Sequence, residues 1–485
     1  MCNGKSLLAC MLCVCVGAGV AAPAGVVTAP SRGPDQAVQK DESIDLTTLV
    51  LVPAPEPAQP LKVRLLPAVA DQKNANAALL YHMAAELYPD QEGDEDLQKK
   101  VQDWLDLPID QVPKGEVDPL LARFQGAFRQ IELATLRNRC EWEMPLEEGF
   151  GMLMPGLFTY RNLAKAMGLR LRMEVSQGQV DQAMRTLQQG LCMGKNMAEG
   201  PTLIQDLVGI AITSLMLKEV EPMLQRPDFP NLYWALTALP VPLIDIRKAM
   251  EYEQGTLFTE FPGLRNLGQE VLTPEQASRL IDNFWSKSMS LTGTGEIPFP
   301  KVTAVAWVML HYTDAKAFLA GKGMAKDRID AMPAAQAVML YQLDTYLEVR
   351  DRLFKWFSVP YPVAQPHLNQ AGQEIHRMTQ GQGLKANLFV NLLPALSRVA
   401  FVQARLDRQV ALLRAIEAIR MYAADHGSQL PQTLEAITAV PVPLDPITGQ
   451  AFLYQVRDGK TARLEAPKTE AEPKRRPVYE LTIKP

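Results

Sequence analysis

The carboxylates are the side chains in this sequence most able to do chemistry. Asp206 lies within Leu203–Leu217, a stretch so apolar that a charged group there must be paired or protonated. Arg247 and Glu251 are one helical turn apart, so they can pair with each other and offer partners to Asp206. We therefore predict a buried polar cluster of these three residues, with an ion pair that orients two helices as its simplest role. A carboxylate pair with raised pKa values and access to solvent could instead act as acid and base in hydrolysis.

Two cysteines, Cys140 and Cys192, lie beyond the N-terminal apolar stretch. In an oxidising compartment they can form a disulfide, and closing a loop of that length would stabilise the fold by ~4 kcal/mol. The alternative is two buried thiols, since cysteine on a helix commonly fills a core. The sequence leaves both alternatives open. Beyond the N-terminal apolar stretch there is no C-x-x-C motif, which excludes a zinc ribbon and a thioredoxin-type site there.

The histidines do not follow a metal-binding pattern. His367 and His376 flank a segment that contains Glu374, but this spacing matches no ligand motif, and we expect a solvated linker there. His82 and His311 lie within predicted helices among apolar neighbours, which favours histidines satisfied in a core. We expect neither a metal ion nor another cofactor.

The motifs of common enzyme classes are also absent. The chain has no G-x-S-x-G, S-x-x-K, H-E-x-x-H, P-loop or G-x-G-x-x-G sequence. Its 49 basic and 54 acidic residues are well mixed, with a net charge of -5 and no basic stripe. A nucleic-acid partner is therefore not expected, because such a protein needs clustered cations to neutralise phosphates.

The stretch Leu203–Leu217 around Asp206 is predicted to be the central helix of the fold. Its apolar residues fall on two faces, which is typical of a helix that others surround. Arg161–Val175 and Gln179–Met197 predict a helical hairpin, whose second half resembles a tetratricopeptide repeat (TPR). The fold class is therefore mainly α, with a multi-helix domain that is partly TPR-like and solenoid-like.

The C-terminal part changes character. A long helix is predicted over Leu384–Asp425, with a bend at Pro394. Asp458-Gly459 is a strong hairpin signal between segments of strand-forming residues. The three predicted strands are Phe452–Arg457, Lys460–Glu465 and Pro477–Lys484. We expect a small antiparallel β-meander packed against the long helix.

Proline and glycine mark the predicted boundaries. The sequence PAPEPAQP at Pro53–Pro60 favours an extended, unpacked chain. The predicted parts are a signal peptide at 1–24, a Pro-rich disordered linker at 25–60, a helical domain at 61–360, a linker at 361–383, and the long helix with its meander at 384–485.

The N-terminus has the pattern of an export signal. Lys5 and the terminal amine precede the apolar run Leu7–Val20, and the small residues of Gly19–Ala24 offer cleavage sites. Two alternatives are a lipoprotein, with Cys10 as the acceptor, and an uncleaved signal that serves as an anchor. We expect a location in the periplasm or cell envelope, with membrane contact only through such a signal or lipid.

Several stretches, RCEWEMPLEEG and EGPTLIQDLVGIAI among them, resemble a large family of uncharacterised exported bacterial helical proteins. That resemblance covers nearly the whole mature chain and implies no activity and no site residues. Ala411–Tyr454 resembles the C-terminal half of type II secretion pseudopilins, with a similar DP-x-x-G-x-x-x-x-Y turn. A pseudopilin helix begins in the membrane, whereas here the helix is internal and charged, so the resemblance implies a shared structural module.

Three functions follow as hypotheses. The first is an exported interaction or scaffold protein without catalytic activity, which binds a protein or peptide partner. The second is an exported hydrolase that uses a carboxylate pair such as Asp206 and Glu251. The third is a pseudopilin-like component of an envelope assembly, which would need an exposed strand edge at Pro477–Lys484. The lack of enzyme motifs favours the first hypothesis.

Overall fold

The structure, a computed structural model, describes residues 45–89, 95–147, 156–292, 301–379, 387, 389–390, 393, 396–469 and 476–484. The predicted signal peptide at 1–24 lies outside the described residues. The helices are α1 (Ala78–Glu86), α2 (Glu95–Asp106), α3 (Lys114–Arg123), α4 (Gln125–Thr135), α5 (Leu157–Ser176), α6 (Val180–Met197), α7 (Leu203–Lys218), α8 (Val220–Leu224), α9 (Tyr233–Thr237), α10 (Arg247–Glu260), α11 (Pro274–Thr292), α12 (Lys301–Gly321), α13 (Lys326–Ala331), α14 (Ala334–Phe354), α15 (Tyr361–Thr379) and α16 (Leu396–Asp425). The strands are β1 (Asp45–Leu51), β2 (Lys73–Asn76), β3 (Arg137–Arg139), β4 (Leu453–Asp458), β5 (Thr461–Glu465) and β6 (Pro477–Ile483). The predicted fold class, mainly α with a small sheet near the C-terminus, is confirmed.

The chain forms two compact units. The described residues of the smaller unit fall within Glu143–Leu153 and Arg247–Ala400, and those of the larger unit within Ala21–Trp142, Met154–Ile246 and Phe401–Pro485. This partition differs from the predicted helical domain at 61–360 and separate C-terminal part at 384–485. The larger unit unites residues distant in sequence, which local sequence patterns do not reveal.

Helices α5, α6 and α7 form the centre of the larger unit. The hydroxyl of Thr202 caps α7 by accepting the backbone N–H of Gln205 at 3.3 Å. Glycines bring α6 and α7 into close contact: a Cβ at Gly209 would lie 2.6 Å from the carbonyl oxygen of Gly194, and one at Gly194 would overlap Thr213 Oγ1. The predicted central helix is therefore present and is buried on most of its circumference.

The predicted helical hairpin is formed by α5 and α6. Gly178 lies in the turn between them with a φ of +70°, a left-handed conformation that favours glycine, and its N–H donates to the Val175 carbonyl at 3.1 Å. The TPR-like solenoid arrangement is not confirmed.

Four strands form the C-terminal sheet of the larger unit, in the order β1-β6-β5-β4. The predicted antiparallel meander β4-β5-β6 is present. Strand β1, from the N-terminal part of the chain, extends it by pairing in parallel with β6. Because β6 therefore lies inside the sheet, the exposed edge expected at Pro477–Lys484 does not exist.

The prediction of a disordered linker at 25–60 is wrong from Asp45 onward. Strand β1 occupies Asp45–Leu51, and the Pro-rich segment after it packs into the larger unit. The N–H of Ala54 donates to the Arg420 carbonyl at 3.2 Å, and Trp234 Nε1 donates to Glu56 Oε1 at 2.6 Å. An extended Pro-rich segment can be ordered where neighbouring elements satisfy its polar groups.

The smaller unit contains α10 to α15. A capping box begins α11: Thr273 N–H donates to Gln276 Oε1 at 2.8 Å, and Gln276 N–H donates to Thr273 Oγ1 at 3.3 Å. The linker predicted at 361–383 is wrong for most of its length, because α15 occupies Tyr361–Thr379. Pro362 fits this helix because it lies in the first turn, where the backbone N–H that proline lacks would have no helical partner. Pro366 lies inside the helix.

Within the described ranges, no helix is both long enough and apolar enough to cross a membrane.

Candidate interaction surface

The predicted cluster of Asp206, Arg247 and Glu251 is not a buried cluster. Asp206 is 1% exposed on the first turn of α7, where the helix dipole favours a carboxylate. Arg247 and Glu251 are both exposed, because α10 directs Ala249 and Met250 to its buried side instead. Asp206 belongs to the larger unit and the other two to the smaller. The pairing of Asp206 with Arg247, and the hydrolase role of Asp206 with Glu251, stay hypotheses.

Both Cys140 and Cys192 are buried and present as thiols rather than as a disulfide. Burial raises the pKa of Cys192 to about 11, with the neighbouring Lys195 opposing the shift. The Cys192 sulfur also accepts a hydrogen bond from Asn196 Nδ2 at 3.5 Å. A thiol with so high a pKa forms little of the nucleophilic thiolate at neutral pH. The structure therefore agrees with the buried-thiol alternative.

The histidines of the smaller unit have structural partners. His367 stacks on Trp356 with ring centroids 3.6 Å apart, and Glu374 pairs with Arg352 at 3.1 Å. His311 is 5% exposed and accepts from the Gln342 amide at 3.4 Å, so the expected core histidine is confirmed there. No three His, Cys, Asp or Glu side chains among the residues described are grouped to hold a metal ion.

A buried polar cluster that the sequence did not predict lies in the larger unit. Arg172 Nε donates to Glu219 Oε2 at 2.6 Å, and its Nη1 donates to the Leu107 carbonyl at 2.6 Å. The Tyr479 hydroxyl donates to Glu221 Oε1 at 2.8 Å. Burial raises the pKa of Glu219 to about 6 and also raises that of Glu221.

A carboxyl group with a pKa raised in this way, as for Glu219, can hold a proton closer to neutral pH, as an acid catalyst must. However, Glu219 is only 3% exposed, so a substrate cannot reach it. The contacts of the cluster connect α5, the junction of α7 with α8, and β6. Its effect is to fasten the sheet to the central helices.

Helix α1 presents apolar residues on two opposite sides. Its buried residues are Ala78, Tyr81 and Ala84. On the other side lie Leu79, Met83 and Leu87, which are 66%, 42% and 46% exposed. Residues four apart share one helix face, so these three form an apolar stripe along the outside of α1. Polar residues normally occupy the solvent-facing side of such a helix.

An aromatic cluster adjoins this stripe through His82. The His82 Nδ1 lies 3.0 Å from the Tyr160 hydroxyl. Trp142 contacts both rings edge-on, with centroids 5.2 Å from His82 and 5.6 Å from Tyr160. Trp142 Nε1 donates to the Asn196 carbonyl at 2.8 Å, which fixes the indole. His82 is exposed, so the core histidine expected at this position is wrong.

Burial raises the pKa of Tyr160, with Cys140 and Glu86 adding to the shift. The phenol therefore keeps its proton and can donate it to His82 Nδ1. We call Leu79, His82, Met83, Leu87 and Trp142 the α1 surface. It combines apolar side chains, an imidazole and a half-buried indole, which are groups suited to binding rather than to nucleophilic chemistry.

No protein-family model, curated protein or solved structure matches this chain.

Proposed function

We propose that this protein is an exported interaction or scaffold protein that binds a protein or peptide partner through the α1 surface. The observation that carries the proposal is the apolar stripe of Leu79, Met83 and Leu87 on the outside of α1. Contiguous exposed apolar residues mark interaction sites more often than isolated ones do. The N-terminal sequence pattern supports an exported location, in the periplasm or cell envelope.

The surface has the parts that a protein interface needs. Complete burial of an exposed leucine such as Leu79 would contribute ~1.5–3 kcal/mol to binding. Trp142 and His82 add ring faces and polar atoms beside the apolar stripe, and indole is enriched among the residues that dominate binding energy. The rings are held by Tyr160 and Asn196, so little side-chain freedom is lost on binding.

The partner is expected to present an apolar protein surface or peptide segment. The exposed carboxylate of Glu86 lies beside the stripe on α1, so the surface of the partner next to its apolar anchor is not expected to be acidic.

The test uses the purified exported chain with a photo-crosslinking amino acid at position 79, exposed to its native cell envelope. We expect a covalent adduct with one partner, and we expect the double substitution Leu79→Glu with Met83→Glu to lower capture of that partner at least tenfold. The matched control is Leu453, which is 52% exposed on β4. Crosslinking at position 453 should give no such adduct, and Leu453→Glu should leave capture unchanged. Equal capture by the double variant and the wild type would refute the proposal.

A further inference from the structure

We infer that two copies of this chain associate through β1, which would pair antiparallel with β1 of the second copy around Thr48 and join the two sheets. This inference is independent of the α1 surface.

The outer edge of β1 carries backbone groups that β6 does not use. The N–H of Asp45 donates to the Arg476 carbonyl at 3.4 Å, and the Leu51 carbonyl accepts from Lys484 N–H at 2.9 Å. In a parallel pair the residues that bond the neighbouring strand alternate with residues that face away from it. Leu46, Thr48 and Val50 therefore direct their N–H and C=O groups away from β6.

Part of this edge is already occupied. The N–H of Val50 donates to Gln225 Oε1 at 3.3 Å, and that of Val52 donates to the Leu224 carbonyl at 3.1 Å. Within the described chain, the outward N–H groups of Leu46 and Thr48 have no such partner. The open part of the edge thus covers Leu46 to Thr48, together with the Val50 carbonyl.

The two edges of the sheet differ in protection against pairing. Strand β4 contains Arg457 and Asp458, and its register with β5 shifts between Val456 and Asp458. Charges and irregular register are the common means by which an edge strand avoids a neighbouring chain. Strand β1 has no lysine, arginine or proline, its single charged residue is Asp45 at its first position, and its register with β6 is continuous from Asp45 to Leu51.

The open edge is complementary to itself. In an antiparallel pair centred on Thr48, Leu46 of each copy lies opposite Val50 of the other, and the two Thr48 residues lie opposite each other. The Thr48 residues exchange two N–H···O=C bonds, and each Leu46 N–H reaches the Val50 carbonyl of the second copy. The side chains of Leu46 and Val50 are 51% and 36% exposed, so each would gain an apolar cross-strand neighbour.

This match identifies the occupant as a second copy. A two-fold axis through Thr48 satisfies both copies with the same contacts, which is the usual geometry of homodimers. The charged residue of β1, Asp45, does not oppose the contact, because in this register it lies opposite Leu51 of the second copy, about 20 Å along the strand from the second Asp45.

The experiment measures the mass of the purified exported chain by sedimentation velocity over a range of concentrations. We expect a monomer–dimer equilibrium for the wild type and a dissociation constant at least tenfold higher for Leu46→Lys. The control is Leu453→Lys. Leu453 belongs to the same row of cross-strand neighbours as Leu46, which runs over Val478 and Glu465, and it is 52% exposed at the other edge of the sheet. This substitution should leave the dimer unchanged.

A second variant gives a positive signal. Thr48→Cys places two thiols on the two-fold axis, where Cα atoms of a hydrogen-bonded antiparallel pair are ~5.5 Å apart, within the range of a disulfide. Mild oxidation should give a covalent dimer of this variant and none of Leu453→Cys. A wild type that stays monomeric, or a dimer that persists unchanged in Leu46→Lys and gives no covalent form with Thr48→Cys, would overturn the inference.

Discussion

Arg408 holds Asp445 through two parallel hydrogen bonds, from Nε to Oδ1 at 2.7 Å and from Nη2 to Oδ2 at 2.9 Å. The side chains are 2% and 0% exposed. The Asp445 carboxylate also accepts the backbone N–H groups of Ile447 and Thr448, at 3.2 and 3.3 Å. It therefore shapes its own turn and fastens that turn to α16. The DP-x-x-G turn therefore has a structural role in this chain.

We predict that Arg408→Met lowers the free energy of unfolding by about 3–5 kcal/mol, because it leaves the Asp445 carboxylate buried without its cation. Urea unfolding of the purified chain, followed by far-UV circular dichroism, measures the change. The control is Arg457→Met, whose ion pair with Glu480 is 53% and 33% exposed and should change stability by less than about 1 kcal/mol. A loss of similar size in both variants would contradict the prediction.

Asp407 predicts a dependence of stability on pH. Burial raises its pKa from 3.8 to about 6, although its carboxylate accepts the Leu243 N–H at 3.0 Å. The folded state therefore binds a proton that the unfolded state has already lost, so stability falls as pH rises between about 4 and 6. A shift of this size corresponds to about 3 kcal/mol.

Asp407→Asn should remove this contribution and be more stable than the wild type at pH 7.5, since the amide oxygen can still accept from Leu243. Urea unfolding at a series of pH values from 4 to 7.5 makes the comparison. Glu219, whose pKa burial raises to about 6, adds a fall of the same sign in both proteins. The prediction concerns how the free energy of unfolding changes with pH in the wild type compared with Asp407→Asn. The same pH dependence in both proteins would contradict it.

Local signals in the sequence predicted the elements but not their assembly. Thr202 and Thr273 cap α7 and α11, and such caps can be recognised from sequence because a cap needs only residues within one turn. The Asp458-Gly459 hairpin follows from the same logic, since Asp458 Oδ1 accepts the N–H groups of Lys460 and Thr461 at 2.8 and 2.7 Å. The pairing of β1 with β6 depends instead on contacts between distant parts of the chain.

The predicted cluster of Asp206, Arg247 and Glu251 also shows that local sequence patterns do not reveal which residues meet in the fold. Asp206 was recognisable as buried because apolar residues surround it in sequence. The exposure of Arg247 and Glu251 depends on which side of α10 faces the core, and Ala249 and Met250 gave too weak an apolar pattern to decide this. Glu219 and Glu221 directly follow the central apolar helix, and carboxylates among apolar residues are the sequence signal for their contacts with Arg172 and Tyr479.

Strand β1 gives a direct test of the ordered N-terminal segment. Leu49 is 2% exposed and Leu46 is 51% exposed on the same strand. We predict that Leu49→Ala lowers the free energy of unfolding by about 2–5 kcal/mol, because it removes buried methyl groups and leaves a cavity. The matched change Leu46→Ala should lower the free energy of unfolding of the monomer by less than about 0.5 kcal/mol. Chemical denaturation at low protein concentration compares the two, and equal small losses would indicate that β1 does not pack.

The contact between α6 and α7 predicts opposite effects for two glycine substitutions. A Cβ at Gly194 would overlap Thr213 Oγ1 and approach the Gly209 backbone, which cannot move without separating the helices. We therefore expect Gly194→Ala to lower the free energy of unfolding by about 1–3 kcal/mol, as overpacking does.

Gly126 on α4 is the control, because a Cβ there meets only Leu87 side-chain carbons at 3.5 and 3.9 Å. Gly126→Ala should raise stability by about 0.5–1 kcal/mol, since alanine has the higher helix propensity. Thermal and urea unfolding of both variants measure the changes, and a stabilising Gly194→Ala would show that α6 and α7 are not packed as closely as the structure places them.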